Sequence, residues 1–320
     1  MNTRTRISLD SRLVCMDDIS DKRVPAGSEL LAFGAAADIW LVDAPDVDVR
    51  KCILKVIRVS VEAMKVKCNA QGSRTAEQLW GEFVCAYKSK LNQWEPLAHE
   101  NVVRVLGVNQ ALDLRVEYLS RGTASQYLAA HPNDSIPLRK RMIGDVLAGL
   151  TYLHSRQPPV IHGSIRMDKL FVDIHGTTKI GEFGLASLVE GFELFVPSIL
   201  QDNQIRWRSP KLLRAGAKAR TMESDIWSLG CTLFEIMSGK LPYFRHQNEL
   251  LVYHALVSNE MPGDLEDLLD PDFVQFWTLA TSCWEWIPGQ QSLAPDLWED
   301  YLSGTSVLQR HVVDHGTAQA

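Results

Sequence analysis

The chain has 320 residues, of which 46% are hydrophobic and 22% charged, a balance that excludes disordered and collagen-like proteins. Its net charge is −6, with 33 Lys and Arg residues against 39 Asp and Glu, so no global charge attracts nucleic acid or anionic lipid. Six dispersed cysteines without C-x-x-C spacing indicate reduced thiols and no zinc site. These properties predict an ordinary globular protein.

The sequence contains no pattern typical of a membrane span or a secretory signal. The longest apolar run, residues 30–42, has 13 residues and contains Asp38, whereas a helix that crosses a bilayer needs about 20. The first ten residues, MNTRTRISLD, carry charge, and no apolar region follows them. We therefore expect a cytoplasmic or nuclear address, no membrane insertion and no nucleic-acid partner.

Strand patterns dominate the first third of the chain, after an N-terminal arm over residues 1–27. Two strand-like stretches, residues 30–42 and 51–59, flank a turn-forming segment and predict a hairpin. A helix follows, with Thr75 as its candidate cap and with Leu79, Phe83 and Tyr87 on one face. Further strand candidates lie at residues 101–108 and 112–119.

The rest of the sequence predicts mostly helices, beginning with residues 138–154, where apolar side chains recur at helical spacing. Because strands come first and helices later, we predict an α+β fold in two lobes. The small β-sheet N-lobe, residues 28–119, includes one main helix, and the larger helical C-lobe spans residues 123–302. Residues 303–320 are expected to form a flexible tail.

Three motifs resemble those of eukaryotic protein kinases. Residues 160–186, VIHGSIRMDKLFVDIHGTTKIGEFGLA, look like the catalytic loop and the D-F-G turn. Residues 223–244, ESDIWSLGCTLFEIMSGKLPYF, look like the long buried helix of the helical lobe, and residues 205–213, IRWRSPKLL, resemble the end of an activation segment. The resemblance covers residues 28–302, implies a bilobal protein kinase-like fold, and is closest to tyrosine-kinase-like kinases of the fungal type.

The resemblance implies a nucleotide site whose phosphate-binding part departs from the family pattern. The glycine-rich loop keeps one glycine of three, Gly34, with Ile39 at the family's valine position. Lys55 falls where the family's lysine contacts the phosphates and pairs with a glutamate of the next helix. Glu82 is the best candidate for that partner, and Glu77 is the alternative.

The adenine part of the implied site also departs from the pattern. Ile53 and Phe171 stand at adenine-contacting positions, and Glu117 belongs to the same implied site. Overpacking of a tight apolar slot costs about 1–3 kcal/mol, so adenine binding should suffer. We expect Ile53 and Phe171 to fill the vacated slot as core residues; the alternative is a slot that stays open.

The resemblance assigns the catalytic positions to residues of a different chemistry. The aspartate that accepts the substrate proton is replaced by Ser164, which carries no carboxylate. The metal-binding asparagine is replaced by Lys169, and the metal-binding aspartate of the D-F-G turn by Glu182, the remaining candidate metal ligand. An ion pair between Lys169 and Glu182 that closes the metal site is therefore a hypothesis.

The residues that support the family's fold are retained. His162, Phe183 and Gly184 keep their positions, and His162 has a core role in this family, as most lone histidines on an apolar face do. The resemblance implies that Asp225 receives backbone N–H groups of the catalytic loop and that Trp227 packs its helix.

Two other features concern the end of the domain. The partners of a buried ion pair of the family are replaced by Lys211 and Gln291, and changing both partners can be nearly neutral. Trp284, Trp286 and Trp298 cluster near the C-terminal helices, where they form either helix core or an interface.

The exchanged positions together predict a pseudokinase that binds another protein, such as a kinase, regulates it allosterically, and requires no cofactor. The alternative is an active atypical Ser/Thr or Tyr kinase that uses ATP and Mg²⁺ through Lys55 and Glu182. A third possibility is a redundant duplicate without a selected activity.

Overall fold

The structure is a computed structural model that describes residues 24–33, 37–44, 50–57, 75–109, 111–181, 204–215, 220–285 and 291–304. Four predicted site residues lie outside the described residues: Gly34, Glu182, Phe183 and Gly184. The same holds for residues 1–23 of the predicted arm and residues 305–320 of the predicted tail.

The chain divides into two compact units. The first unit comprises Met1–Arg58 and Leu106–Tyr118, and the second comprises Val59–Val105 and Leu119–Ala320. Residues 59–105 thus belong to the unit that contains most of the helices, although the sequence-based bounds assign them to the N-lobe. The lobe bounds of 28–119 and 123–302 stay a prediction.

A five-stranded sheet forms the first unit. Its strands are β1 (Glu29–Phe33), β2 (Ala37–Asp43), β3 (Lys51–Ile57), β4 (Val105–Val108) and β5 (Leu114–Glu117), in the spatial order β1-β2-β3-β5-β4. The stretch predicted as one strand over residues 30–42 is two antiparallel strands, since Phe33 pairs with Asp38. In the sequence, the two strands are separated by three small residues, Gly34, Ala35 and Ala36.

The side chains of β3 point alternately to the two faces of this sheet. Cys52, Leu54 and Val56 belong to a buried cluster together with Val42 and Ala44 of the β2 segment. Because successive side chains of a strand point to opposite faces, Ile53 and Lys55 lie on the other face.

The first helix, α1 (Ala76–Trp94), confirms the predicted helix and its cap. The Thr75 side chain accepts the N–H of Gln78 at 3.2 Å, and Gln78 Oε1 accepts the N–H of Thr75 at 3.1 Å. This reciprocal pair satisfies two donors that a helix start otherwise leaves unpaired. The buried side chains recur at helical spacing: Ala76, Leu79, Phe83, Tyr87, Leu91 and Trp94.

The described part of the second unit contains, besides α1, seven further α-helices and a two-stranded antiparallel sheet. The helices are α2 (Ala124–Ala130), α3 (Ser135–His154), α4 (Pro210–Ala215), α5 (Met222–Ser238), α6 (Glu249–Val257), α7 (Val274–Ser282) and α8 (Ala294–Ser303). The strands are β6 (Leu170–Val172) and β7 (Thr178–Ile180), preceded by a 3₁₀ turn, Met167–Lys169. Strands precede helices along most of the chain, as the predicted α+β class requires.

Helix α5 forms the centre of the second unit. From Ser224 to Ser238, every residue of α5 except Glu235 is buried. Thr221 caps its start through the N–H of Ser224, and Gly239 ends it with a positive φ of 67°, a conformation that favours glycine. Phe234 and Trp284 meet edge to face with ring centroids 6.5 Å apart, so Trp284 belongs to the helix core.

In the described part of the chain, we find no helix whose length and apolar character would let it cross a membrane. The four described cysteines, Cys52, Cys85, Cys231 and Cys283, are free thiols, as the sequence predicts.

Candidate functional site

The buried carboxylate of Asp225 fixes the start of the catalytic-loop segment. Its Oδ2 accepts the N–H of His162 and its Oδ1 accepts the N–H of Gly163, each at 2.7 Å. The ring Nε2 of His154, at the end of α3, lies 3.1 Å from Oδ2. Since Asp225 is 0% exposed, these hydrogen bonds are shielded from water and strong. Helix α5 thus holds the loop backbone directly.

His162 and Lys169 connect the loop to Gly181, the residue before the E-F-G motif. The Nε2 of His162 lies 2.9 Å from the carbonyl oxygen of Gly181, and the ring is 1% exposed. The N–H of Ser164 donates to His162 Nδ1, so Nε2 carries the proton and donates to that carbonyl. The carbonyl of Lys169 accepts the N–H of Gly181 at 2.9 Å. His162 is therefore a satisfied core histidine.

The acidic side chain that the described catalytic loop does contain is engaged elsewhere. Asp168 is the one carboxylate of residues 160–169. Arg166 binds it through two parallel hydrogen bonds, Nε to Oδ1 at 2.9 Å and Nη2 to Oδ2 at 2.7 Å. The guanidinium group of Arg166 is 5.5 Å from the ring centroid of Trp207. No carboxylate of this loop is thus available to replace the one missing at Ser164.

A small cavity of about 10 Å³ adjoins Ser164. Arg208 and Arg220 contribute to its wall, and the Nη1 of Arg220 donates to the carbonyl of Gly163. All of its described lining residues lack a carboxylate: Gly163, Ser164, Trp207, Arg208, Leu212, Arg220, Ser224 and Ser228. The wall of this cavity therefore carries two guanidinium groups and no carboxylate.

Glu235 is a feature of the site that the motif comparison does not point to. Burial raises the pKa of its carboxyl group to about 7, with a further contribution from the charge of Asp168. Hydrogen bonding from the Met167 backbone, the charge of Arg166 and hydrogen bonding from Trp207 act against both. A signal does exist in the sequence, since Glu235 is a single charge in the apolar run GCTLFEIM.

In the first unit, the sheet register brings three predicted nucleotide-site residues onto one face. Ile39 pairs with Lys55, and Ile53 pairs with Val116 of β5, so Ile39, Ile53 and Lys55 share the face opposite the buried cluster. Lys55 is only 6% exposed. Glu117 pairs with Cys52 and therefore points to the face of the buried cluster instead.

Other predicted contacts join residues of different compact units, and they stay predictions. Lys55 belongs to the first unit, whereas Glu82 and Glu77 lie on α1 with exposed side chains in the second. Ile53 and Phe171 are divided in the same way. Within the second unit, Phe171 packs on the backbone, since a Cβ added to Gly181 would lie 2.9 Å from its ring.

Gln291 and Lys211, which replace the family's ion pair, each interact with another group. Gln291 Nε2 donates to the carbonyl of Cys283 at 2.6 Å. Lys211 is exposed, and its charge helps to lower the pKa of Glu223, after hydrogen bonds from Thr221 and the Glu223 backbone. Gln291 therefore forms a hydrogen bond with the backbone, and Lys211 is exposed to solvent.

Comparison with known proteins identifies the class. A profile of the protein tyrosine and serine/threonine kinase family matches residues 49–294, and the chain belongs to this family. The predicted fold class is thereby confirmed as a protein kinase fold with a β-sheet N-lobe and a helical C-lobe.

The chain is similar to several proteins that are named as protein kinases. The mitogen-activated protein kinase kinase kinase MCK1 of Pyricularia oryzae is 24% identical over 218 residues, which cover 66% of this chain and 14% of that protein. For MST11, a mitogen-activated protein kinase kinase kinase of the same fungus, the values are 29% over 194 residues, 57% and 20%. The serine/threonine-protein kinase WNK8 of Arabidopsis thaliana is 27% identical over 222 residues, 68% of this chain and 38% of that protein. The chain thus spans well under two thirds of the length of each relative.

Proposed function

We propose that the chain is a pseudokinase, impaired in ATP binding and phosphoryl transfer, which acts by binding another protein and regulating it allosterically. The observation that carries the proposal is that the catalytic loop has no carboxylate available to accept the substrate proton. Ser164 replaces the proton acceptor, and Asp168, the one carboxylate of residues 160–169, is held by two hydrogen bonds from Arg166. The loss of a general base alone lowers a rate by about 10²–10⁴-fold.

The residues at the implied metal site do not suit Mg²⁺. Lys169 is only 9% exposed, and its ammonium group stands where the family has a neutral oxygen ligand. Hard cations prefer oxygen ligands, and a lysine offers none. Lys169 therefore cannot act as a ligand to Mg²⁺.

The proposal extends to the partner and the group. Relatives named as kinases of mitogen-activated protein kinase cascades support another kinase as the bound protein. The R-W-R-S-P run at residues 206–210 supports the tyrosine-kinase-like group. A cytoplasmic location is consistent with both the proposed kinase partner and the proposed tyrosine-kinase-like group.

An active atypical kinase is the second candidate. It is favoured by Lys55, which stays buried on β3 as the family's phosphate-binding lysine does, and by the kinase relatives. Such an enzyme would use ATP and Mg²⁺ with Lys55 and Glu182.

Thermal unfolding with ATP separates the two candidates. A ligand present at 100 times its dissociation constant adds about 2.7 kcal/mol to the free energy of unfolding. For the pseudokinase, we expect no change in melting temperature at millimolar ATP, with or without Mg²⁺, while a catalytically active kinase in the same buffer shifts. A metal-dependent shift, followed by transfer of radiolabelled phosphate that Lys55→Ala abolishes, would establish the active kinase instead.

A further inference from the structure

Helix α6 is apolar on two opposite faces. Val252, Ala255 and Leu256 form its buried face. On the other side, Leu250, Tyr253 and Val257 follow one another at helical spacing and are 65%, 42% and 37% exposed. A helix at the surface of a protein normally turns a polar face to solvent. The outward face of α6 thus has the composition of a packing face.

The apolar exposure continues in the chain around α6. Residues 241–274 contain nine of the fifteen large apolar side chains that are exposed in the described part of the chain, so the exposure is concentrated there. The N–H of Glu260 donates to the carbonyl of Ala255 at 2.9 Å, which keeps the chain, and the exposed Met261 after it, at the end of the helix. We call the exposed side chains of residues 241–274 the α6 surface. Concentrated apolar exposure of this kind marks interaction sites.

The α6 surface is also acidic. Residues 241–274 contain seven Asp and Glu residues against one Arg, a net charge of −6, so the rest of the chain is neutral on balance. Cations from elsewhere bind this segment, and counting three of them still leaves a net charge of −3: Lys140, Lys240 and Arg206. The negative charge of the protein is therefore concentrated where its apolar side chains are exposed.

Two carboxylates of the α6 surface face solvent. Glu249 and Glu266 are exposed, and none of the ion pairs in the described part of the chain includes either of them. Burial lowers the pKa of Arg206, and the charge of Glu249 acts against it from the exposed side. Glu249 directly precedes Leu250, so negative charge adjoins the apolar stripe of the helix.

The sign of this charge decides between occupants of the surface. A second copy of the chain would bring the same negative charge, and an anionic membrane would also be repelled. A protein segment with Lys or Arg residues beside its apolar side chains is attracted instead. A partner with an apolar stripe and flanking cations therefore matches both properties of the surface.

We propose that the α6 surface binds a basic amphipathic helix of a partner protein. Its apolar side chains pack on Leu250, Tyr253 and Val257, and its cations lie near Glu249 and Glu266. An apolar stripe on one helix is complemented by a second helix, whose side chains fit between its ridges. The inference rests on the proposed function only in that the chain binds a protein, and it does not require the loss of catalysis.

The test titrates the full chain into a fluorescently labelled peptide and measures anisotropy at about 150 mM salt. The probe is Ac-LKKLLKKLKKLLKK-NH₂, whose leucines lie on one face of a helix. One control peptide has the same composition in an order without an apolar helical face, and the other has glutamate in place of every lysine. We expect saturable binding of the probe and at least about tenfold weaker binding of both controls. Equal binding of the probe and either control, or no saturable binding, would overturn the proposal.

Apolar variants locate the binding on α6. Leu250→Ser should weaken it about tenfold, since it removes an apolar contact and leaves the core intact. Leu302→Ser is the matched control, because Leu302 of α8 is 64% exposed outside the α6 surface, and it should bind like the wild type. Wild-type affinity of Leu250→Ser, or an equal loss in Leu302→Ser, would contradict the proposed site.

A charge variant tests the need for a basic helix. Glu249→Gln combined with Glu266→Gln should weaken binding of the probe about threefold and reduce its dependence on salt. Glu299→Gln, which removes an exposed charge of α8, is the control and should leave both unchanged. Wild-type affinity in the double variant would overturn the basic character assigned to the partner.

Two further measurements separate a partner helix from other occupants. We expect the same oligomeric state for the wild type and Leu250→Ser in sedimentation, and no binding of phosphatidylserine vesicles. A dimer that Leu250→Ser dissociates, or vesicle binding that it abolishes, would assign the surface to a second copy or a membrane and overturn the proposal. A chain that binds the probe and also shifts with ATP would overturn the pseudokinase alone, whereas a chain that does neither would overturn this inference alone.

Discussion

Glu235 occupies a position where a charged group is poorly solvated. It follows the apolar stretch of α5 and lies within the electrostatic range of Arg166 and Asp168. Its charge also raises the pKa of Arg139, while burial, the larger effect, lowers it. The carboxyl group of Glu235 is therefore coupled to three charged side chains, and its protonation should be visible in the stability of the whole domain.

The sign of this coupling follows from the raised pKa, 4.5 changing to about 7 on folding. The folded state holds the proton more tightly than the unfolded state, so the stabilisation is complete below about pH 4.5 and is lost as the pH rises through about 7. A shift of this size corresponds to at most about 3 kcal/mol. In the wild type, this loss lowers the free energy of unfolding between pH 5 and 8. We expect Glu235→Gln to abolish this contribution, measured by urea denaturation at each pH.

The control is Glu266→Gln, which removes an exposed carboxylate and should leave the pH dependence as in the wild type. An identical slope in Glu235→Gln and wild type between pH 5 and 8 would contradict the prediction.

At the scale of elements, α5 and α7 approach closely at a glycine. A Cβ on Gly230 would lie 2.6 Å from the Cβ of Cys283 and 2.6 Å from the indole nitrogen of Trp284. Since both neighbours are buried, they have little room to move. We expect Gly230→Ala to lower the unfolding free energy by about 1–3 kcal/mol, measured by urea denaturation.

Helix α1 offers the matched substitution. A Cβ on Gly81 would have no neighbour within 4 Å, and the residue is exposed within the helix. Alanine is favoured over glycine there by about 0.5–1 kcal/mol, so Gly81→Ala should stabilise the protein. Equal effects of the two substitutions would show that close packing does not explain the glycine at 230.

The elements themselves illustrate what a sequence pattern can and cannot predict. The apolar spacing and the Thr75 cap predict α1, because both depend on residues that are neighbours along one helix. The split into β1 and β2 is missed, since residues 30–42 have a nearly uniform apolar character. The pairing of Phe33 with Asp38 shows that this stretch contains two strands.

For the whole molecule, the net charge of −6 leads to a prediction about partners. Nucleic-acid binding at low salt depends on releasing counterions from phosphates, which a chain of this charge does poorly. We expect no mobility shift of a 30-base-pair DNA with micromolar protein at about 50 mM salt. A shift that weakens as salt increases would contradict this and would indicate a local basic surface.

The site is predictable to the extent that its parts belong to motifs. The motif around residue 225 identifies Asp225 as the residue that holds the loop, and the missing carboxylate at Ser164 follows from the sequence directly. The hydrogen bonds from Arg166 to Asp168 and the burial of Glu235 depend on side-chain packing that no motif encodes.

The carboxylate of Asp225 has a consequence for how such a protein evolves. It ties the path of the catalytic loop to the hydrophobic interior, through the N–H groups of His162 and Gly163. Side chains at positions 164 and 169 can be exchanged while that backbone path is kept, since none of these hydrogen bonds involves them. Backbone path and side-chain chemistry are therefore separable traits: mutation can exchange the chemistry at these two positions and preserve the path of the loop.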